Sequence, residues 1–362
     1  MEMNRFDPNW ASPPGATVLD LLQERRVPIK EFAHHARRDV ESVSRLIHGI
    51  EPLTTDWAEC LAGMLGASPG FWLRREETYR ADMRRLCKST DDDACKWLSA
   101  LPIKDLVRFG WIKQGSSTSE TALNACAFFG VTSSSTFERK YKKLFEASAY
   151  RTSRAYATRP TAVAAWLRQG EIEASVVDCE KWDQHRLANS LDSIRELTLE
   201  ADPSKFLPDL RRILASCGVA MVVARTPEGC RASGATRFLK ADQALMQLSF
   251  RYLADDQFWF TVFHEIGHLL MHAHDQLFLE GLEERNNMAE QEADDFAVAT
   301  LFAKVGRDAL DNVKPSLLAI KRLARRAGLA DGIVVGQLQR RNQVPYRHFN
   351  TLKVRYTWPS IP

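Results

Sequence analysis

The chain has 362 residues, 45% of them hydrophobic and 26% charged, with a formal net charge of +3, an ordinary profile for a globular protein of two or three domains. No apolar run reaches the length of a membrane span, and the polar start MEMNRFDPNWASPPG lacks a signal region, so a cytoplasmic protein with no membrane partner is expected. Seven widely spaced cysteines without a CxxC argue against a disulfide framework and a cysteine zinc site, and the net charge is too small to imply nucleic-acid binding by itself.

Residues 17–75 read as short helices separated by turn signals. TVLDLLQERR starts at a capping Thr17, IKEFAHHA follows Pro28, and DVESVSRLIHG runs from a capping Asp39 to Gly49. LTTDWAECLAGMLG offers Thr54 or Thr55 as cap and stops at Gly66, and SPGFWLRREETYR opens a fifth helix. Further helical pattern follows over 81–168, in DDDACKWLSAL, TSETALNACAFFG and RPTAVAAWLRQGEIEA.

The pattern changes near residue 170. VAMVVAR (219–225), CRASGATRFL (230–239) and ALMQLSF (244–250) are short strand-like runs. Asp255–His272 then reads as a helix capped by Asp255 or Asp256, and 288–306 as another that ends at Gly306. Helices, a small sheet, then helices again make an α+β chain. Its expected segments are 1–80, a helical 81–168, and 169–362.

FHEIGHLLMHAHD (263–275) carries four of the nine histidines: His264, His268, His272 and His274. His264 and His268 lie four apart on a helix, so their imidazoles leave one face, and Glu265 completes H-E-x-x-H. In that motif two histidines bind zinc and the glutamate is the general base. A catalytic site needs a third ligand and an open position. His274 has a metalloprotease spacing, but Met271 stands where a turn-making glycine is wanted. His272 shares the face of the first two, so the three histidines spread along the helix axis. EQEADDFA supplies carboxylates instead. Glu292 shares a helical face with Phe296 and Ala299, and a glutamate on a core-facing stripe needs a partner; Glu290 and Asp295 read as solvated.

FHEIGHLLMH followed by EQEADDFA resembles the ImmA/IrrE family of bacterial and phage metallopeptidases over roughly 170–362. The resemblance implies a zincin-like domain with Zn2+ on His264, His268 and Glu292 and with Glu265 as base. It also implies a helix-turn-helix repressor as protein substrate, cleaved in a stress, phage or toxin–antitoxin setting. Residues 27–73 are similar to the XRE-type helix-turn-helix of HigA-like antitoxins. That likeness implies a recognition helix at about Asp39–Ile47 and a DNA operator contacted through Arg37, Arg38, Val40, Glu41, Ser42, Ser44 and Arg45. Arg37 stands at the position of the usual turn glycine, and residues 1–75 carry nine basic against ten acidic side chains. Weak DNA binding, or recognition of a protein instead, therefore stays open.

Arg251, Tyr252, His272 and His274 are candidate donors to a developing oxyanion, and ALMQLSF is a candidate edge for an added substrate strand. A toxin partner and a homodimer remain open. So does a second function: an antitoxin-type regulator whose peptidase-like part only senses a ligand or partner. The basic run from Lys321 to Arg355 stays outside both readings.

Overall fold

The computed structural model describes residues 10–87, 91–147, 159–272, 276–280 and 288–358, in a mixed α+β arrangement. They form two compact units. The first holds the described residues up to Leu144 with Arg159–Asp178 and Pro227–Cys230; the second holds Phe145–Ala147, Cys179–Thr226 and the described residues from Arg231 onward. The expected segments 1–80 and 81–168 thus share one unit.

The first unit begins with α1 (Pro14–Glu24), α2 (Ile29–His35), α3 (Val40–Ile47), α4 (Thr55–Leu65) and α5 (Pro69–Leu86). Helix α1 starts earlier than Thr17, because Pro14 fits a first turn whose N–H groups have no helical partner anyway. Asp39, Thr54 and Ser68 accept the backbone N–H of Ser42, Trp57 and Phe71, three caps that stop each helix from extending backwards. Val18, Phe32, Val43, Leu46, Trp57, Leu61 and Trp72 meet in the core between these helices. Arg37 occupies the turn between α2 and α3 at φ +52°, the left-handed conformation for which glycine is the usual choice.

Then come α6 (Asp91–Ala100), α7 (Ile103–Arg108), α8 (Thr118–Phe129), α9 (Ser134–Ala147) and α10 (Pro160–Ala174). Helix α10 is buried along most of its length and packs against α3. This placement corrects two expected DNA contacts. Ser44 is buried and donates to the carbonyl of Ile172 at 2.7 Å. Arg45 donates to the Gly110 carbonyl at 2.6 Å and pairs with Glu51, which leaves its side chain 15% exposed. Both are committed inside the unit, while Arg37, Arg38 and Glu41 remain exposed and Val40 and Ser42 half-buried.

In the second unit α11 (Gln184–Asn189), α12 (Leu191–Glu196) and α13 (Pro203–Ser216) precede β1 (Val219–Val223), β2 (Gly234–Lys240) and β3 (Gln243–Leu248). Next are α14 (Asp255–Met271), β4 (Phe278–Glu280), α15 (Met288–Leu301), α16 (Asp308–Asp311), α17 (Leu317–Ala327) and α18 (Asp331–Arg340). The strand order is β1-β3-β2-β4, with β1 parallel to β3 and β2 antiparallel to both its neighbours. Strand β3, expected to offer an edge to substrate, is therefore interior, and both its edges are paired. Ala254 is the N-cap of α14 rather than either aspartate. The buried face of α14 (Phe258, Trp259, Val262, Phe263, Ile266) joins Phe206, Met246, Leu301 and Val334 in one apolar core. That packing holds the H-E-x-x-H helix against β2 on one side and α15 and α18 on others.

Candidate metal centre

His264 and His268 leave α14 on adjacent turns, as their spacing requires, and their Nε2 atoms lie 3.0 Å apart. The third group is Glu290, at 3.2 Å from each Nε2. These three residues can offer ligand atoms that all lie within 4.8 Å of one another. Glu292, the expected ligand, is not among them. The buried stripe of α15 is Glu290, Ala293, Ala297 and Leu301, so the helix turns Glu290 inward and leaves the Glu292 side chain 47% exposed. The reading of Glu290 as solvated is corrected with it.

Glu292 still belongs to the centre. Its carboxylate accepts from His272 Nε2 at 3.0 Å, and His272 Nδ1 lies 3.0 Å from His268 Nδ1. With the His272 proton on Nε2, His272 Nδ1 accepts from His268 Nδ1–H, and the lone pair of His268 Nε2 faces Glu290. On the other side His264 Nδ1 donates to Asp294 at 3.0 Å, and Asp294 is paired with Arg340, whose guanidinium lies 4.3 Å from the Phe260 ring centroid. Each imidazole thus has its outer nitrogen occupied and its inner one aimed at the same point, the arrangement that orients metal-binding histidines.

Charge favours a cation there. Burial works against protonation of both imidazoles: at His268 it prevails and takes the pKa to about 4, whereas at His264 the Asp294 and Glu290 carboxylates reverse it and raise the pKa. Burial also opposes ionisation of Glu290, but when a proton fills the gap between them its hydrogen bonds with His264 and His268 outweigh that and hold it below the usual carboxylate range. Two inner lone pairs beside an ionised, buried carboxylate repel unless a proton or metal lies between them. Two histidines and a glutamate are a zinc donor set, and the residues fit the ion.

Glu265 is fully buried, and burial lifts its pKa well above that of an ordinary glutamate. Thr236 Oγ1 donates to its Oε2, while Oε1 has no hydrogen-bond partner among the described residues. Gly234 makes room for this carboxylate, since a Cβ there would overlap Oε1. Strand β4 closes the same side: Gly234, Ala235 and Thr236 pair with Glu280, Leu279 and Phe278, and the Phe278 ring stacks on His268 at 4.1 Å between centroids. Glu280 places a further buried carboxyl near His264, its pKa raised by that burial.

The oxyanion candidates separate. Arg251 donates to the Arg231 carbonyl and lies over the Tyr252 ring, and neither belongs to the metal-binding group. His272 is held between His268 and Glu292, and His274 lies outside the described residues. Sequence reasoning missed Glu290, Asp294, Thr236, Glu280 and Phe278. Only Glu290 left a local signal, the spacing 290-293-297-301 of one helical face. Comparison with models of known protein families and with curated proteins finds no match to this chain.

Proposed function

We propose that this protein is a zinc-dependent peptidase whose metal is held by His264, His268 and Glu290 and whose general base is Glu265. The observation that carries the reading is the convergence of the two Nε2 atoms and the Glu290 carboxylate, with a buried glutamate one position after the first histidine. A zinc ion held there supplies Lewis acidity toward a peptide carbonyl. Thr236 fixes one oxygen of Glu265 and leaves the other to take a proton from the attacking water. Glu265 then delivers that proton to the leaving amine. Asp294 and His272 hold the two imidazoles in the tautomers that the site needs. The likeness to the ImmA/IrrE family supplies the substrate class, a helix-turn-helix repressor.

Burial favours a second reading. His264, Glu265 and His268 are each at most 2% exposed, and a regulator that uses the metal group to sense a ligand or partner would tolerate such closure. One comparison separates the two: metal analysis of the purified protein, with cleavage of candidate repressors by wild type and Glu265→Gln. A peptidase retains zinc in both proteins and loses cleavage in the variant. Full cleavage by the variant would remove Glu265 as the base, and zinc without cleavage in either protein would favour the sensor.

A further inference from the structure

We infer that the exposed face of α17 is a nucleic-acid contact that grips the phosphate backbone without reading bases. This goes beyond the peptidase reading and does not depend on it.

Helix α17 and the residues just before it carry Lys314, Lys321, Arg322, Arg325 and Arg326, all exposed. No carboxylate pairs with any of them among the described residues. Cations elsewhere in the same unit are commonly paired: Arg195 with Asp192, Arg212 with Asp209, Arg307 with Asp295, Arg341 with Asp311, and Lys353 with Asp256. The four cations on α17 itself, Lys321, Arg322, Arg325 and Arg326, fall at spacings of three and four across its turns, so they lie on one side of the helix. The opposite face, Ile320, Leu323, Ala324 and Ala327, is buried in the core. That burial decides between partners. A helix binds a membrane surface by sinking its apolar face into the lipid, and here that face is already covered. Exposed Leu317 and Leu318 are too few to replace it. What remains is a positive stripe on a rigid helix, the electrostatic footprint of a nucleic-acid binder.

The dimensions agree. The cations from Lys321 to Arg326 cover about 8 Å of helix at 1.5 Å per residue, two or three phosphate spacings along one strand of duplex DNA, and their long side chains extend that reach to about four. Arginine forks match phosphate oxygens in pairs. The stripe also offers an alternative to α3, where Ser44 and Arg45 are committed to α10 and to the Gly110 carbonyl.

The test uses the full chain and a fluorescent 20-base-pair duplex of arbitrary sequence, read by anisotropy. With about four phosphates neutralised, log K falls against log salt with a slope near −4, so affinity drops roughly 200-fold between 50 and 200 mM salt. Arg322→Ala and Arg325→Ala should each lower the slope by about one. The fourfold Lys321→Ala, Arg322→Ala, Arg325→Ala, Arg326→Ala variant should lose duplex binding with an unchanged melting temperature, since all four side chains are exposed. Unchanged binding by the fourfold variant would overturn the inference. So would binding lost on Arg37→Ala and Arg38→Ala but kept in the fourfold variant, or binding to anionic phosphatidylserine vesicles but not to the duplex.

Discussion

Glu290 and Glu292 are two residues apart on α15, and about 200° of helical rotation separates their side chains. The first reaches the metal centre and the second holds His272 behind it. Glu290→Ala should therefore remove most bound zinc, because ligand bonds supply the binding energy. Glu292→Ala should keep zinc but weaken it by about 10- to 100-fold through the loosened His272–His268 contact. Chelator competition on the two variants checks this, and the reverse order would restore Glu292 as ligand. The sequence displayed both glutamates and the correct helix, but the phase of the helix came from Phe296 and Ala299, whereas Ala293 and Ala297 mark the buried side. Asp255 bears a second prediction. Burial, then the charge of Asp256, raises its pKa to about 7 from an ordinary 3.8, with Lys353 opposing and the buried Tyr356 hydroxyl nearby. A carboxyl with a raised folded pKa stabilises the fold fully below its unfolded pKa and loses that contribution as pH rises through the folded one. Stability should fall between about pH 4 and pH 7 by on the order of 4 kcal/mol from this group. Denaturant unfolding of Asp255→Asn, which keeps the oxygen that accepts from the Asp256 amide, should lack that slope.

Among the elements, α14 and α18 approach closely where Gly336 faces Asp256. A Cβ at Gly336 would lie 2.5 Å from Asp256 Oδ2, an oxygen that Lys353 holds at 2.6 Å while also donating to Gln339. Gly336→Ala should destabilise the fold by about 1–3 kcal/mol through overpacking and leave zinc affinity unchanged, as thermal melts and chelator competition would show; an unaltered melt would mean that the helices separate at no cost. Most helices were legible because caps and 3.6-residue periodicity are local: Asp39, Thr54 and Ser68 announce their helices. Strand β4 was not legible, since a strand of three residues carries no period. Nor was the interior place of β3, which depends on β2 returning beside it. The cover over α3 escaped for a similar reason: Ser44 and Ile172 are 128 residues apart, and nothing near Ser44 in sequence announces α10.

The whole molecule joins a helical unit to one built around a sheet and the metal group, and the mixed α+β class was readable from the order of patterns alone. The division at about residue 178 was not, because α10 looks like any amphipathic helix until its partners are known. The closed metal centre has a consequence in time rather than in affinity. With Phe278 stacked on His268 and both histidines buried, release of an ion is expected to need β4 and its neighbours to open, a local unfolding event with its own rate. Chelator should then strip the protein at a pace that rises with chelator concentration and levels off at the opening rate. Stopped-flow stripping over increasing chelator should reveal that plateau, and Phe278→Ala should raise it. A rate that climbs linearly without limit would mean that the centre is open to solvent on the timescale of binding. A plateau would make metal retention a kinetic property of the fold, with zinc outlasting spells of scarcity that its equilibrium affinity alone would not survive.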